Sequence, residues 1–529
     1  MLPPMPADGN QGRHPGIHAR QAPDRPAVVM AGTAQTLTYA EFEAASLRIA
    51  RLFRSRGLTA GKRVAIMLGN EAAFLPLVWA AQRAGLRYTP VSPELTVGEA
   101  LHIIRDCRAE VLVAGAAAVT TAAALPAERL PAVRARFAVG VAALAPGWED
   151  LDAEACAIGD GPLDDECEGD CLVYSSGTTG RPKGVKRPLT LAPLGTGPDG
   201  AGPFLDSVGV HSGSVLLVTA PLWHSAALTW ALSALRRGAT VVAIERFSPA
   251  VALHALERYG ITHSQWVPTM FARLLKAAQS DRPRWRFPAH QAAVHGAGPC
   301  AVGVKREMLA WWGPIVWELY SCTEGIGATL IGPDDWMAHP GSVGRAVLGR
   351  VVIRDDDGDE VPSGAVGNIW FADGYPYAYE NDPAKTKAAR NPLGETTVGD
   401  IGYVDAGGYL YLTGRKAHTV VSGGVNIYPR EIEDCIMSHR DVADVAVLGL
   451  PDTDLGERLV AVVEEAQGDG EVRGDLNASV LAHCRDRLAR FKVPREVLVV
   501  DRLPRDGAGK IARARIAALM RAGPGAGVR

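Results

Sequence analysis

Short apolar runs alternate with stretches whose apolar residues recur every three or four positions. Residues 64–68, 88–91 and 110–114 read as strands, with helices over 71–83 and 97–106 between them. Before these, Thr38 followed by Glu41 has the spacing of a capping box, opening an amphipathic helix to about Arg56 that Gly57 stops. The same alternation resumes after residue 214. Strands are expected at 215–219, 239–244, 261–268 and 291–294, and helices at 226–237 and 250–259. Such a pattern predicts an α/β fold of largely parallel sheets covered by helices on both faces. In sheets of this kind ligands sit in the loops after the carboxyl ends of strands.

From about residue 341 the texture changes to short, glycine-punctuated strands (351–353, 367–371, 409–412), which suggests a small β-rich subdomain. After Gly414-Arg415-Lys416 the pattern restarts, with helices over 429–438 and 478–489 and strands over 445–449 and 459–463. This is the content of a compact α+β domain of roughly 110 residues. The expected organisation is a large N-terminal portion (1–413), a hinge (414–417) and a smaller, mobile C-terminal α+β domain (418–529). Residues 1–26, rich in Pro, Gly and Ala, read as an arm, and 115–168 as variable surface.

Composition narrows the class. A chain of 529 residues exceeds what one core usually serves. A formal charge of −3 gives no bulk attraction to nucleic acid or an anionic membrane. The cysteines are scattered, and the C-x-x-x-C pair Cys167/Cys171 has no second pair to complete a zinc site, so reduced structural thiols are expected. With no basic-then-apolar leader and no apolar run near the ~20 residues that span a bilayer, a cytoplasmic enzyme without a transmembrane segment is expected.

The candidate chemistry begins at Tyr174-Ser175-Ser176-Gly177-Thr178-Thr179-Gly180-Arg181-Pro182-Lys183-Gly184-Val185. Glycines let backbone approach a ligand closely, four hydroxyls and Lys183 add donors, and no carboxylate repels an anion. Such a loop suits a polyphosphate and, following the apolar run 171–174 that reads as a strand, is expected at the carboxyl end of a strand of the parallel sheet. It lacks the G-x-x-x-x-G-K-[ST] spacing of the common P-loop, because Lys183 follows Gly180 by three residues. Tyr320-Ser321-Cys322-Thr323-Glu324 places a hydroxyl beside a carboxylate after an apolar stretch. That combination suits a phosphate contact next to a Mg²⁺ ligand, with Tyr320 available to stack on a purine, although a core ring and a solvated charge would read the same. Asp400, after Gly399, can accept from ribose hydroxyls or merely close a turn.

These segments resemble, in order and separation, the motifs of the adenylate-forming superfamily of acyl- and aryl-CoA synthetases, peptide-synthetase adenylation domains and luciferases. The resemblance covers about residues 35–515 and is strongest to acyl-CoA synthetases of fatty or bulky acids. It implies ATP, Mg²⁺ and coenzyme A as co-substrates and an AMP-forming acid–thiol ligase. The phosphate loop would be Ser175 to Gly180 with Lys183. Gly296-Ala297-Gly298 would lie between the adenine and acyl sites, and Tyr320, Ser321, Cys322 and Thr323 would border the nucleotide. Glu324 would serve the metal through the phosphates, Asp400 the ribose, and Arg415 the ribose or phosphate at the hinge.

By the same resemblance Lys510, in Pro504-Arg505-Asp506-Gly507-Ala508-Gly509-Lys510, is the adenylation lysine. Ser422-Gly423-Gly424 opens the loop that guides the pantetheine of CoA. His224 lines the acyl pocket near the carboxylate, although a core histidine would look alike. Many family members carry Asp or Lys where this chain has Ala417, two residues after the hinge arginine, which leaves Lys416 as a neighbouring pivot. Trp223, His224, the small Ala226 and Ala227, Gly296 and Ala297 would shape the acyl pocket. No cation is evident in the sequence to pair a second charge on the acid, so a medium or long fatty acid, or a polycyclic terpenoid or steroid-like acid, is expected over a dicarboxylate or amino acid. A separate acyl carrier protein as acceptor, an oxygenase of the luciferase type and a non-catalytic nucleotide-binding protein are the rival readings, and a homodimer is the default assembly.

Overall fold

The computed structural model describes residues 13–141, 145–159, 161–175, 182–278, 281–422, 425–466, 475–505 and 511–521. Two sheets and the helices between them form the large portion. The first sheet is parallel throughout, in the order Glu149–Asp150, Ala135–Val139, Val111–Gly115, Arg63–Met67, Arg87–Pro90, Asp170–Cys171. At the centre of the second, Val316–Ser321, Ala292–Gly296, His263–Trp266, Val215–Val218, Thr240–Ala243 and Pro26–Met30 run parallel.

Three helices, Tyr39–Ser55, Phe74–Arg83 and Ser225–Arg236, join the sheets through one continuous core. The first is fixed locally. Thr38 Oγ1 accepts from the Glu41 amide, and the Glu41 carboxylate accepts from the Thr38 N–H at 2.8 Å, so both partners satisfy otherwise orphaned donors. The second is apolar from Phe74 to Ala81, and every one of its residues is buried, including Gln82 and the paired Arg83 at its end, as a helix between two layers must be. Its Trp79 is fully buried and carries the Arg236 guanidinium 5.0 Å from its ring centroid; Arg236 is held in turn by Glu168 at 2.7 Å. The cation is tolerated there because it is paired.

The glycine-punctuated strands continue the second sheet as an antiparallel wing: Ala328–Ile331, Ser342–Leu348, Leu410–Arg415, Asp400–Val404, Gly367–Ala372 and Arg350–Arg354. The smaller C-terminal domain is a mixed sheet built on the long hairpin Val442–Asp452/Gly456–Glu465, with Glu496–Val500 parallel to its second strand. Helices Pro429–Met437 and Leu476–Arg487 close its own core around Ile432, Ile436, Val445 and Val480.

Three expectations change. Pro15–Gln21, expected in the arm, is a helix against Tyr39–Ser55, with His18 Nε2 at 3.0 Å from the Arg236 carbonyl. Within 115–168, Ala135–Val139 is an internal strand with Phe137 fully buried. The residues flanking the phosphate loop do not end a parallel strand. Val173–Ser175 and Lys183–Lys186 pair antiparallel in a separate three-stranded sheet completed by Ala378–Tyr379, so the loop closes a hairpin.

Candidate active site

Between the large portion and the C-terminal domain lies a cleft of about 2510 Å³. It is lined by Ser175 and Lys183; by Trp223, His224, Ala226 and Ala227; by Gly296, Ala297 and Gly298; by Tyr320 through Glu324; and by Asp400 and Arg415. Segments separated by more than two hundred residues thus meet on one surface. Of the residues expected in the site, Ser176, Gly177, Thr178, Thr179, Gly180, Gly423, Gly424 and Lys510 lie outside the described residues.

Register builds the ribose-side cluster. Asp400 and Arg415 are directly opposite across an antiparallel pair, and Arg415 Nε donates to Asp400 Oδ1 at 2.7 Å. The Tyr320 hydroxyl donates to the other oxygen, Oδ2, at 2.7 Å. Asp400 is therefore a buried carboxylate held at both oxygens. Burial and the neighbouring carboxylate push the Tyr320 hydroxyl well above its usual range, so it stays a donor.

Tyr320 stands near the end of Val316–Ser321, and the next strand along the sheet ends in Gly296. A Cβ at Gly296 would lie 2.6 Å from the Leu319 carbonyl oxygen, so no larger residue fits that close approach. Ala297 follows with φ of 65°, a left-handed conformation rare outside glycine, which turns the chain at the cleft wall. Strain of this kind clusters at ligand sites.

Glu324 is buried, and its Oε1 accepts from the Tyr379 hydroxyl at 2.8 Å. Burial lowers the Lys183 ammonium, while Asp382 and Glu324 pull it back up. Among the described residues no group of three or more His, Cys, Asp or Glu could hold a metal ion. One carboxylate beside a cation does fit Mg²⁺ arriving on a polyphosphate, since Mg²⁺ takes one or two protein oxygens and completes its shell with phosphate and water.

On the opposite side, His224 is the N-cap residue of Ser225–Arg236, and its ring lies 5.9 Å from that of Trp223. Ala227 is buried against the core and Ala226 is exposed.

The C-terminal domain supplies the remaining wall. Arg430 donates to the Cys300 carbonyl at 3.3 Å across the cleft, and to Asp434 on its own helix at 2.8 Å. Arg505 and Ile511, which bound the segment containing Lys510, form an antiparallel bridge and both line the cleft. At the expected hinge, Lys416 Nζ lies 2.7 Å from Asp356 Oδ1, and Ala417 is exposed. Ser422 pairs with Val425 in a hairpin and is not among the lining residues.

Two groups escaped the sequence reading. Tyr379, 55 residues beyond Glu324, had no local signal. Arg187 lines the cleft one residue past the strand Lys183–Lys186; it shares the strand face of Lys183, a period-two relation that could have been read.

An α/β portion with a smaller C-terminal domain, meeting over a cleft lined by Ser175, Lys183 and a doubly held buried aspartate, defines a nucleotide-binding enzyme of two domains. The chain belongs to the AMP-binding enzyme family: the family's model matches residues 17–375, and that of the AMP-binding enzyme C-terminal domain matches residues 431–510. It is 30% identical over 501 residues (93% of this chain, 95% of the relative) to the long-chain-fatty-acid–CoA ligase FadD13 of Mycobacterium tuberculosis. It is 33% identical over 515 residues (96% and 98%) to a feruloyl-CoA synthase of a Streptomyces species. Among solved structures, ATP-bound MatB from Rhodopseudomonas palustris superposes with a TM-score of 0.80 at 27% identity, covering 96% of this chain and 99% of that one. Among the described residues no helix is long and apolar enough to cross a membrane.

Proposed function

We propose that this protein activates a carboxylic acid with ATP as an acyl-adenylate, releasing pyrophosphate, and then transfers the acyl group to the thiol of coenzyme A, releasing AMP. The observation that carries this reading is the single cleft that unites Lys183, Gly296 to Gly298, Tyr320 to Glu324, Asp400 and Arg415 in a chain of the AMP-binding enzyme family.

The first step is an electrostatic problem, because a carboxylate must reach the α-phosphorus of a polyanion. Donors and positive charge have to be in place where the transition state gathers charge. Asp400 accepts from the ribose hydroxyls with lone pairs that Tyr320 and Arg415 leave open, and those two residues fix its orientation. Lys183 and the hydroxyls of Ser175, Ser176, Thr178 and Thr179 hold the pyrophosphate end, and Thr323 contacts phosphate. Glu324 is the residue that would hold the Mg²⁺ of MgATP, which neutralises phosphate charge. An acid oxygen bonds to the α-phosphorus as the bond to pyrophosphate breaks, and Lys510 neutralises the oxygens involved.

In the second step the thiol sulfur attacks the acyl carbonyl, AMP leaves, and the thiol proton passes to solvent. Ser422-Gly423-Gly424 guides the pantetheine after the small domain turns about Lys416 and Ala417, because one arrangement cannot present both Lys510 and a thiol path. The acid lies against Trp223, His224, Ala226, Ala227, Gly296 and Ala297, a wall suited to a bulky, largely apolar body.

The test is product analysis on a panel of fatty, aromatic, terpenoid and steroid acids with MgATP, each with CoA, with a phosphopantetheinylated carrier protein, and with neither. The expected result is AMP and acyl-CoA in equal amounts. Formation of ADP, or of thioester on the carrier alone, would refute the reading.

A further inference from the structure

Arginines in the interior of the large portion have carboxylate partners: Arg63 with Glu380 at 3.0 Å, Arg83 with Glu43 at 2.7 Å, and Arg354 with Glu395 at 2.6 Å. Arg187 differs. It is half-buried on the cleft wall, and its guanidinium has no hydrogen bond or ion pair to any described residue. The guanidinium acts on the buried Asp170 carboxyl only through its field, opposing the rise that burial causes, while Arg87 lies 3.5 Å from that carboxylate.

The guanidinium is nonetheless placed. A Cβ at Gly325 would lie 3.1 Å from its Nη2 and 3.4 Å from its Nε, and one at Gly200 would lie 3.6 Å from its Nη1. That same Cβ at Gly200 would meet Thr229 at 2.7 Å, on the helix whose first turn carries Ala226 and Ala227. Gly325 therefore leaves room for the fork, which lies between the Thr323-Glu324 segment and the acyl wall. Hydrocarbon packed on it would strip its water and return nothing, whereas an oxygen acceptor would form charge-assisted hydrogen bonds.

We propose that Arg187 reads a second oxygen acceptor on the acid. The preferred substrate is then a largely apolar carboxylic acid that carries a carboxylate, carbonyl or hydroxyl oxygen away from the carboxyl being activated. This rests on the adenylation reading above and sharpens its substrate class.

The test is pyrophosphate release with matched acids: nonanoate, nonanedioate and 9-hydroxynonanoate, and cinnamate with 4-hydroxycinnamate. The parent enzyme favours the oxygenated member of a pair by about tenfold or more in kcat/KM, since a site built to bond an oxygen rejects the analogue lacking it. Preference for the dioate marks an anionic partner, and preference for the hydroxy acid a neutral one. Arg187→Leu brings the ratio towards one, with the change carried in KM, and Arg187→Lys keeps part of the preference. Equal losses for both members of every pair in the Leu variant, or a parent enzyme that favours the plain acid throughout, would overturn the inference. Pyrophosphate release with the plain acids alone leaves adenylation standing and refutes only Arg187, while no release with any acid refutes both.

Discussion

The Tyr320 hydroxyl donates to the Asp400 carboxylate at 2.7 Å, tying the end of one central strand to the start of a strand 80 positions later in the wing of the same sheet. The bond orients Asp400 and, at the same time, pins the ring that would face the purine. Tyr320→Phe keeps the ring and removes the bond. We expect KM for ATP to rise about tenfold with a smaller change in kcat, which steady-state kinetics with ATP varied will measure.

In the proposed mechanism Lys510 carries the positive charge of the first step but not of the second. Lys510→Ala is expected to lower acyl-adenylate formation by about 10²–10³ or more, while thioester formation from supplied acyl-adenylate and CoA persists. Rapid-quench assays of the two half-reactions separate these outcomes. Equal loss in both would assign Lys510 to the fold or to general binding.

At the cleft wall, Lys305 and Glu318 form a buried pair at 2.8 Å, with the ammonium over the Trp336 ring. Burial lowers the lysine and raises the glutamate, and each partner opposes the other's shift. Removing one partner strands a buried charge. Glu318→Gln should cost about 3–5 kcal/mol in urea unfolding, and Lys305→Met combined with Glu318→Leu should recover much of that.

Glu71 gives a pH dependence of opposite sign to a paired carboxylate. Burial raises its carboxyl to about 7, and its Oε1 has no hydrogen-bond partner. The folded state thus holds a proton that the unfolded state releases near pH 4.5. The stability it contributes is full below the unfolded pKa and is lost as pH rises through about 7. Glu71→Gln should raise the melting temperature at pH 8 more than at pH 5, as thermal melts at the two values will show.

Much of this was legible where the signal is local. The capping box at Thr38/Glu41 is read within one turn and forms as read; a second, Thr96/Glu99, has the same spacing and was passed over. The motif residues of the cleft were legible as types, because glycine, hydroxyl and carboxylate at close spacing carry their chemistry with them. Their meeting was not. The Asp400–Arg415 pair depends on strand register, and the opening beside Arg187 depends on Gly325, 138 positions away, a relation only the fold creates. Phe137 was overlooked because Arg136 interrupts the apolar run and the alanine-rich surroundings lack the alternation that marks a strand. The hairpin under the phosphate loop was missed because its third strand, Ala378–Tyr379, comes from the far end of the large portion.

In the proposed mechanism the acid attacks the α-phosphorus of ATP before any thiol is present, a step that pyrophosphate–ATP exchange reports in isolation. With Mg²⁺, ATP and labelled pyrophosphate but no CoA, label should enter ATP only when a suitable carboxylic acid is added, and Lys510→Ala should abolish it. Exchange that ignores the acid, or label that never reaches ATP with any acid offered while the protein still hydrolyses ATP to ADP, would contradict the account.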